Sequence, residues 1–179
     1  MLTATQEGAA GEELVAACVT LSSGGDLELY KPLSDDDHTD ITAGRRGKVP
    51  ALAIQVKTCL HLDPKGYAVA RMYFGGARPR EHPAFIYAVV YVADLTVETA
   101  WVVPSADFNR LADRGKGRFG KGLELEFMAS PVRTDKWSAF RCSRSELGPR
   151  LLSIVDALPR QRHAPRISGS MLLTKRTSV

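Results

Sequence analysis

The residues of this chain best suited to chemistry gather between Thr39 and Thr58, in the run Thr39-Asp-Ile-Thr-Ala-Gly-Arg-Arg-Gly-Lys-Val-Pro-Ala-Leu-Ala-Ile-Gln-Val-Lys-Thr58. Pro50 opens an extended stretch, Ala51 to Cys59, in which alternate side chains share a face. Leu52, Ile54 and Val56 point one way as an apolar core face. Ala51, Ala53, Gln55 and Lys57 point the other way, small residues leading to two polar groups side by side. Thr39 to Ala43 reads as the facing strand of a hairpin, joined through the turn Gly44-Arg-Arg-Gly-Lys48. Asp40 then reaches the same surface as Gln55 and Lys57. An acid, an amide and an amine would converge at one end of a sheet. The same residues also fit a plainer role, as solvated positions near a sheet edge with Asp40 in a turn after an acidic run.

The elements that must position these groups follow from periodicity and punctuation. Thr3 to Leu21 is predicted as a helix, capped by Thr3 or Thr5 and ended by Gly24-Gly25, with Leu14, Val15, Cys18, Val19 and Leu21 as its apolar stripe. Asp26 to Tyr30 alternates as a short strand. Tyr67 to Phe74 is a further strand, followed by a Gly/Pro-punctuated loop to Pro83. Phe85 to Val92 is nearly all apolar and rich in β-branched and aromatic residues, as in a strand covered on both faces. Ala100 to Val103 is another strand, and Ser105 is placed to cap a short helix ending near Ala112. Arg114 to Gly122 reads as a loop, Leu123 to Phe127 as a strand, and Ser143 or Ser145 as the cap of a helix running to Leu158. A crossover helix is not evident between Leu60 and Pro83. The pattern is mixed α/β, with no internal repeat.

The chain has 179 residues, 44% hydrophobic and 25% charged, which suits one globular domain. No apolar run approaches the length of a membrane span, and the N-terminal residues lack the basic start and apolar region of a signal peptide. Cys18, Cys59 and Cys142 lie far apart without paired spacing, so neither a disulfide framework nor a zinc site is expected, and a cytoplasmic location fits best. The net charge of +4 has a local origin. After Leu158 the chain carries Arg160, Arg162, Arg166, Lys175 and Arg176 with no acid; removing those five from 24 Lys and Arg leaves 19 against 20 Asp and Glu. Residues 1–158 therefore form a domain of net charge −1, and 159–179 a basic, flexible extension that could touch phosphate backbones or serve only as a solubilising tail.

The acid on one strand, the Gln55-Val56-Lys57 tripeptide on the next and a preceding helix bearing a glutamate together resemble the PD-(D/E)XK nuclease superfamily, which includes restriction endonucleases and archaeal Holliday-junction resolvases. The helix segment Gly8-Ala-Ala-Gly11-Glu12-Glu13-Leu14-Val15 is similar to the GxxGExxV start of resolvase-like members, and His38-Thr39-Asp40-Ile41 and Ile54-Gln55-Val56-Lys57-Thr58 are similar to the catalytic strands. The resemblance covers residues 8–58. It departs from the family in two places: no proline precedes Asp40, and Gln55 stands where Glu or Asp is usual. What it implies is a restriction-endonuclease-like mixed β-sheet flanked by helices, and hydrolysis of phosphodiester bonds in DNA with Mg²⁺ or Mn²⁺. In that scheme Asp40 is the principal metal ligand, beside the Gln55 amide oxygen and the Val56 carbonyl. Lys57 orients the attacking water or stabilises phosphate charge, and Glu12 reaches the site directly or through a water. A glutamine at 55 removes one negative charge and weakens metal binding, so an inactive nucleic-acid- or partner-binding module on the same scaffold is the competing reading. A homodimer is one arrangement the resemblance allows.

Other residues carry less. Asp35, Asp36 and Asp37 form an acidic run of the kind that is usually solvated, although Asp37 could assist Asp40. His38 could contact phosphate; His61, His82 and His163 have no pairing. Trp101 and Trp137 could stack on bases but suit a core better. Lys116, Arg118 and Lys121, in a glycine-rich loop, are candidates for phosphate contact, since glycine lets backbone approach a ligand closely; the same loop could be a mobile surface segment.

Overall fold

A computed structural model describes residues 2–32, 38–47, 51–75, 78–117 and 120–159. In chain order the elements are α1 (Ala4–Ser22), β1 (Leu27–Tyr30), β2 (Ile41–Arg45), β3 (Ala51–Cys59), β4 (Ala68–Phe74), β5 (Phe85–Ala93), β6 (Thr96–Pro104), α2 (Ser105–Leu111), β7 (Asp113–Lys116), β8 (Leu123–Ala129), β9 (Arg141–Cys142) and α3 (Leu147–Ala157), with short 3₁₀ turns at Ser138–Phe140 and Arg144–Glu146. The basic tail from Arg160 onward, Asp35 to Asp37 and Arg118 lie outside the described residues.

Thr3 caps α1 reciprocally: its hydroxyl accepts from the Gln6 amide, and the Gln6 side chain accepts from the Thr3 amide. Such a box satisfies two of the amides a helix start leaves open. The buried residues Gly11, Val15 and Val19 recur every fourth position, so a single face of α1 meets the sheet.

Six strands form the central sheet in the order β1-β2-β3-β5-β6-β9. β3 and β5 run parallel, and every other pair is antiparallel. The sheet is thus mixed, as expected, with helices against it. A parallel pair needs a crossover, and here a strand occupies it: β4 joins β8 and β7 in a separate antiparallel sheet of three. The missing crossover helix is explained by this second sheet, and Arg114 to Lys116, the start of the segment read from sequence as loop, belong to its edge strand β7.

Period-two alternation in β3, β5 and β6 feeds two cores. Leu52, Ile54, Val56, Ile86, Ala88, Val90 and Val102 pack under α1 and α3. Phe85, Tyr87, Val89, Trp101 and Val103 face the second sheet and α2, meeting Phe108, Phe127 and Trp137. Tyr87 stacks on Phe108 at 4.1 Å between centroids, and Phe127 lies 4.6 Å from Trp137. Both tryptophans are fully buried, so neither is available to stack on a base. β6 begins earlier than its composition indicates, because β5 and β6 are joined through Asp94 and Leu95, both at positive φ. That is the backbone of a primed hairpin turn, made without the glycine that signals one.

Ser105 does not cap α2. Its hydroxyl accepts from the His82 amide and donates to the His82 carbonyl, both at 2.9 Å, tying the start of α2 to the entry of β5. Ser143 does cap, through a box with Glu146 ahead of α3.

Burial pushes the Cys59 and Cys142 thiols from 9.0 up to about 11, and raises Cys18 as well. A thiol raised in the fold stays protonated where the unfolded chain already ionises. The protein should therefore lose stability as pH rises from 9 through 11. Denaturant midpoints measured across that range check the direction, and a thiol reagent at neutral pH should modify the partly exposed Cys18 before the two buried cysteines.

Candidate functional site

The site forms where β2 stops and β3 continues. Ile41 is opposite Ile54 in the last pair of the β2–β3 ladder, and the preceding Asp40 amide donates to the Ile54 carbonyl at 2.9 Å. Directly opposed residues share a face. Ile41, Ile54 and Val56 accordingly lie in the core beneath α1 and α3, and Gln55 and Lys57 share the other face of β3.

Backbone groups alternate sides along a strand. Ala53 donates its amide to Ala84 on the β5 side, and Ile54 accepts the Asp40 amide at 2.9 Å on the β2 side. Val56 faces the β2 side again, but β2 has ended. Its amide is taken by the Asp40 carboxylate, Oδ2 at 2.6 Å. The short charge-assisted bond holds Asp40 in place, and by the same alternation the Val56 carbonyl faces the Asp40 side of the strand. The positive φ of His38, 52°, turns the chain just ahead of Asp40.

Gln55 is only 7% exposed, and its carboxamide has no hydrogen-bond partner among the described residues. Lys57 is half-buried and has neither a hydrogen bond nor an ion pair among them. A carboxylate has about four lone-pair directions, and the Val56 amide takes one of those on Asp40. Three oxygens, from Asp40, Gln55 and Val56, suit a hard cation such as Mg²⁺. Histidine, cysteine and carboxylate side chains do not cluster three together anywhere among the described residues, so an all-side-chain metal cage is absent there.

Glu12 stands apart. It lies on α1, on the opposite face of the sheet, and pairs with Lys31 at 3.3 Å; Lys31 also binds Glu13 at 2.6 Å. The hydrogen bond to Glu13, followed by that to Glu12, raises the Lys31 ammonium above its ordinary range. Lys31 carries no motif signal in the sequence; only the packing of β1 beside α1 brings it there. The neighbouring Gly11 meets Thr58, the residue after Lys57, so α1 crosses β3 at the end of the tripeptide.

Lys116 and Lys121 are exposed near the β7–β8 connection, and among the described residues no hydrogen bond or ion pair joins them to Asp40, Gln55 or Lys57. The glycines there serve internal packing. A Cβ on Gly117 would sit 2.2 Å from the Lys121 carbonyl, and one on Gly122 the same distance from the Phe74 carbonyl.

The fold is similar to that of a bacterial homing endonuclease, I-Ssp6803I. The TM-score is 0.58 at 18% identity, over 87% of this chain and 94% of that one. No family model and no curated protein matches the sequence. At that identity the likeness is one of fold, a mixed β-sheet with helices against it. None of the helices among the described residues is long and apolar enough to cross a membrane.

Proposed function

We propose that this chain is a divalent-metal-dependent endonuclease of the PD-(D/E)XK type, acting on DNA. The observation that carries the reading is the hydrogen bond by which the Asp40 carboxylate, just ahead of β2, accepts the Val56 amide between Gln55 and Lys57. The fold's likeness to a homing endonuclease supports the same chemistry and DNA as the substrate. Asp40, the Gln55 amide oxygen and the Val56 carbonyl would hold Mg²⁺ or Mn²⁺. The ion would polarise the phosphoryl oxygens and acidify a water. Lys57, without a protein partner among the described residues, has its ammonium available to orient that water or to neutralise charge building on the phosphate. Glu12, held by Lys31, acts at most from a distance through water.

Plasmid and branched DNA incubated with the protein and either metal should be cut, and Lys57→Ala should abolish the cutting. Intact single-stranded, duplex and branched DNA under both metals would overturn the reading.

Gln55 favours a second reading, a binding module that has lost turnover, because an amide contributes no charge to the metal. Gln55→Glu separates the two. In an active enzyme it tightens Mn²⁺ binding, by about tenfold for one added charge-assisted contact, and raises cleavage at limiting metal. In an inactive module it tightens the metal without producing cleavage. Calorimetric titration with Mn²⁺, run beside a cleavage assay, reads both outcomes.

A further inference from the structure

Between the β5–β6 turn and the turn that follows β8 lies a pocket of about 560 Å³. Leu62, Tyr91, Pro131 and Val132 supply its apolar lining. Its charges are of both signs. Lys65 comes from the β3–β4 connection, and Arg133, with its guanidinium 5.9 Å from the Tyr67 ring, from the turn after β8. Asp94 and Glu98 come from the β5–β6 hairpin. None of the four makes an ion pair among the described residues, so two cations and two anions line one hollow without neutralising one another within the chain.

The same place carries the two most exposed large apolar side chains among the described residues, Leu95 at 89% and Val132 at 82%. Both are displayed on constrained backbone. The amides of Val132 and Arg133 donate to the Ser130 hydroxyl at 3.3 and 3.0 Å. The Arg141 guanidinium donates to the Ser130 and Arg133 carbonyls at 3.0 and 2.9 Å. Leu95, next to Asp94 in the hairpin turn, is held at φ 59°, a region unfavourable to a bulky side chain. The isolated chain gains nothing from presenting leucine to water there, whereas a surface that buries it does.

We propose that a second copy of this chain fills the pocket across a two-fold axis. The β5–β6 turn of each copy enters the pocket of the other, with Leu95 against the partner's Tyr91 and the partner's Val132. Asp94 and Glu98 then meet the partner's Lys65 and the partner's Arg133. A two-fold contact uses one patch on both subunits, so that patch must carry both halves of every complementary pair. This one does, as protruding leucine and hollow, acids and bases. Its charges sum to zero, which suits neither a polyanion such as DNA nor a polycation. The proposal does not depend on the nuclease reading.

Sedimentation velocity of the full chain, without metal or DNA, over about 1–100 μM tests it. The species should pass from 19.5 kDa to twice that mass as concentration rises. Leu95→Asn removes the protruding side chain with a residue that adopts positive φ more readily. Its melting temperature should not fall, while dimerisation weakens about a hundredfold, tenfold for each of two leucines. Lys65→Glu and Glu98→Lys, both at exposed positions, each oppose like charges twice in a homodimer and should weaken it about tenfold or more. Mixed in equal amounts, the two variants oppose unlike charges at both contacts and should dimerise as the parent does. A parent that stays monomeric throughout overturns the proposal. A dimer indifferent to Leu95→Asn overturns it as well, since its interface lies elsewhere. So do charge variants that associate no better together than apart.

Discussion

Asp40→Asn should leave a folded protein whose DNA cleavage falls by about a hundredfold or more, the scale expected when a metal's charged ligand becomes neutral. The side chain does two jobs that the substitution separates. One is structural, since Oδ2 accepts the Val56 amide at the point where β2 can no longer pair with β3. An asparagine oxygen can still accept that bond, so thermal stability should stay near the parent's. Asp40→Ala removes both jobs. It leaves the Val56 amide without its acceptor at a half-buried site, at a cost of about 1–3 kcal/mol, so its melting temperature should fall by several degrees on top of the activity loss. If Asp40→Asn cleaves as the parent does, the carboxylate holds strands together and nothing more.

Gly11→Ala should destabilise the protein, although alanine is the better helix former. Propensity alone favours alanine by about 1 kcal/mol inside a helix. Against it, the added Cβ would stand 1.7 Å from Thr58 Oγ1 and 2.7 Å from Thr58 Cβ. Since Cβ does not move with the rotamer, turning the threonine offers no escape, and α1 would have to lift off β3. Overpacking of this kind costs about 1–3 kcal/mol and would also displace the end of β3 that carries Lys57. Gly8 supplies the control. A Cβ placed there would have no atom of a neighbouring element within 4 Å, so Gly8→Ala should stabilise by about 0.5–1 kcal/mol. Urea unfolding of the two variants should give shifts of opposite sign. Two shifts of the same sign would mean that the α1–β3 contact is looser than the structure has it.

The Gly8–Gly11 motif shows what a sequence pattern does and does not carry. It marks both glycines alike, and only the tertiary contact with Thr58 makes one of them indispensable. Gln55 and Lys57 read as one face of β3 because strand periodicity is a local property, whereas the place of Asp40 depends on how the chain enters β2. Glu12 fits the same motif equally well in sequence but comes from the far side of the sheet, already engaged by Lys31. The glycine-rich segment around Gly117 and Gly122 points to ligand contact by composition, yet its close approaches are to the chain's own carbonyls.

Local chemistry in the chain was enough to define α1 with its threonine cap, the doubly covered strand β5, the hairpin partner of β3 and the burial of both tryptophans. These depend on capping, period and hydrophobicity over neighbouring residues, all of which act at short range. The second sheet, the strand that takes the crossover, the pairing of Lys31 with Glu12 and the pocket beside the β5–β6 turn were decided only by the tertiary structure. Each joins segments distant along the chain through packing and backbone pairing, and no short stretch of side chains records which distant partner will satisfy it.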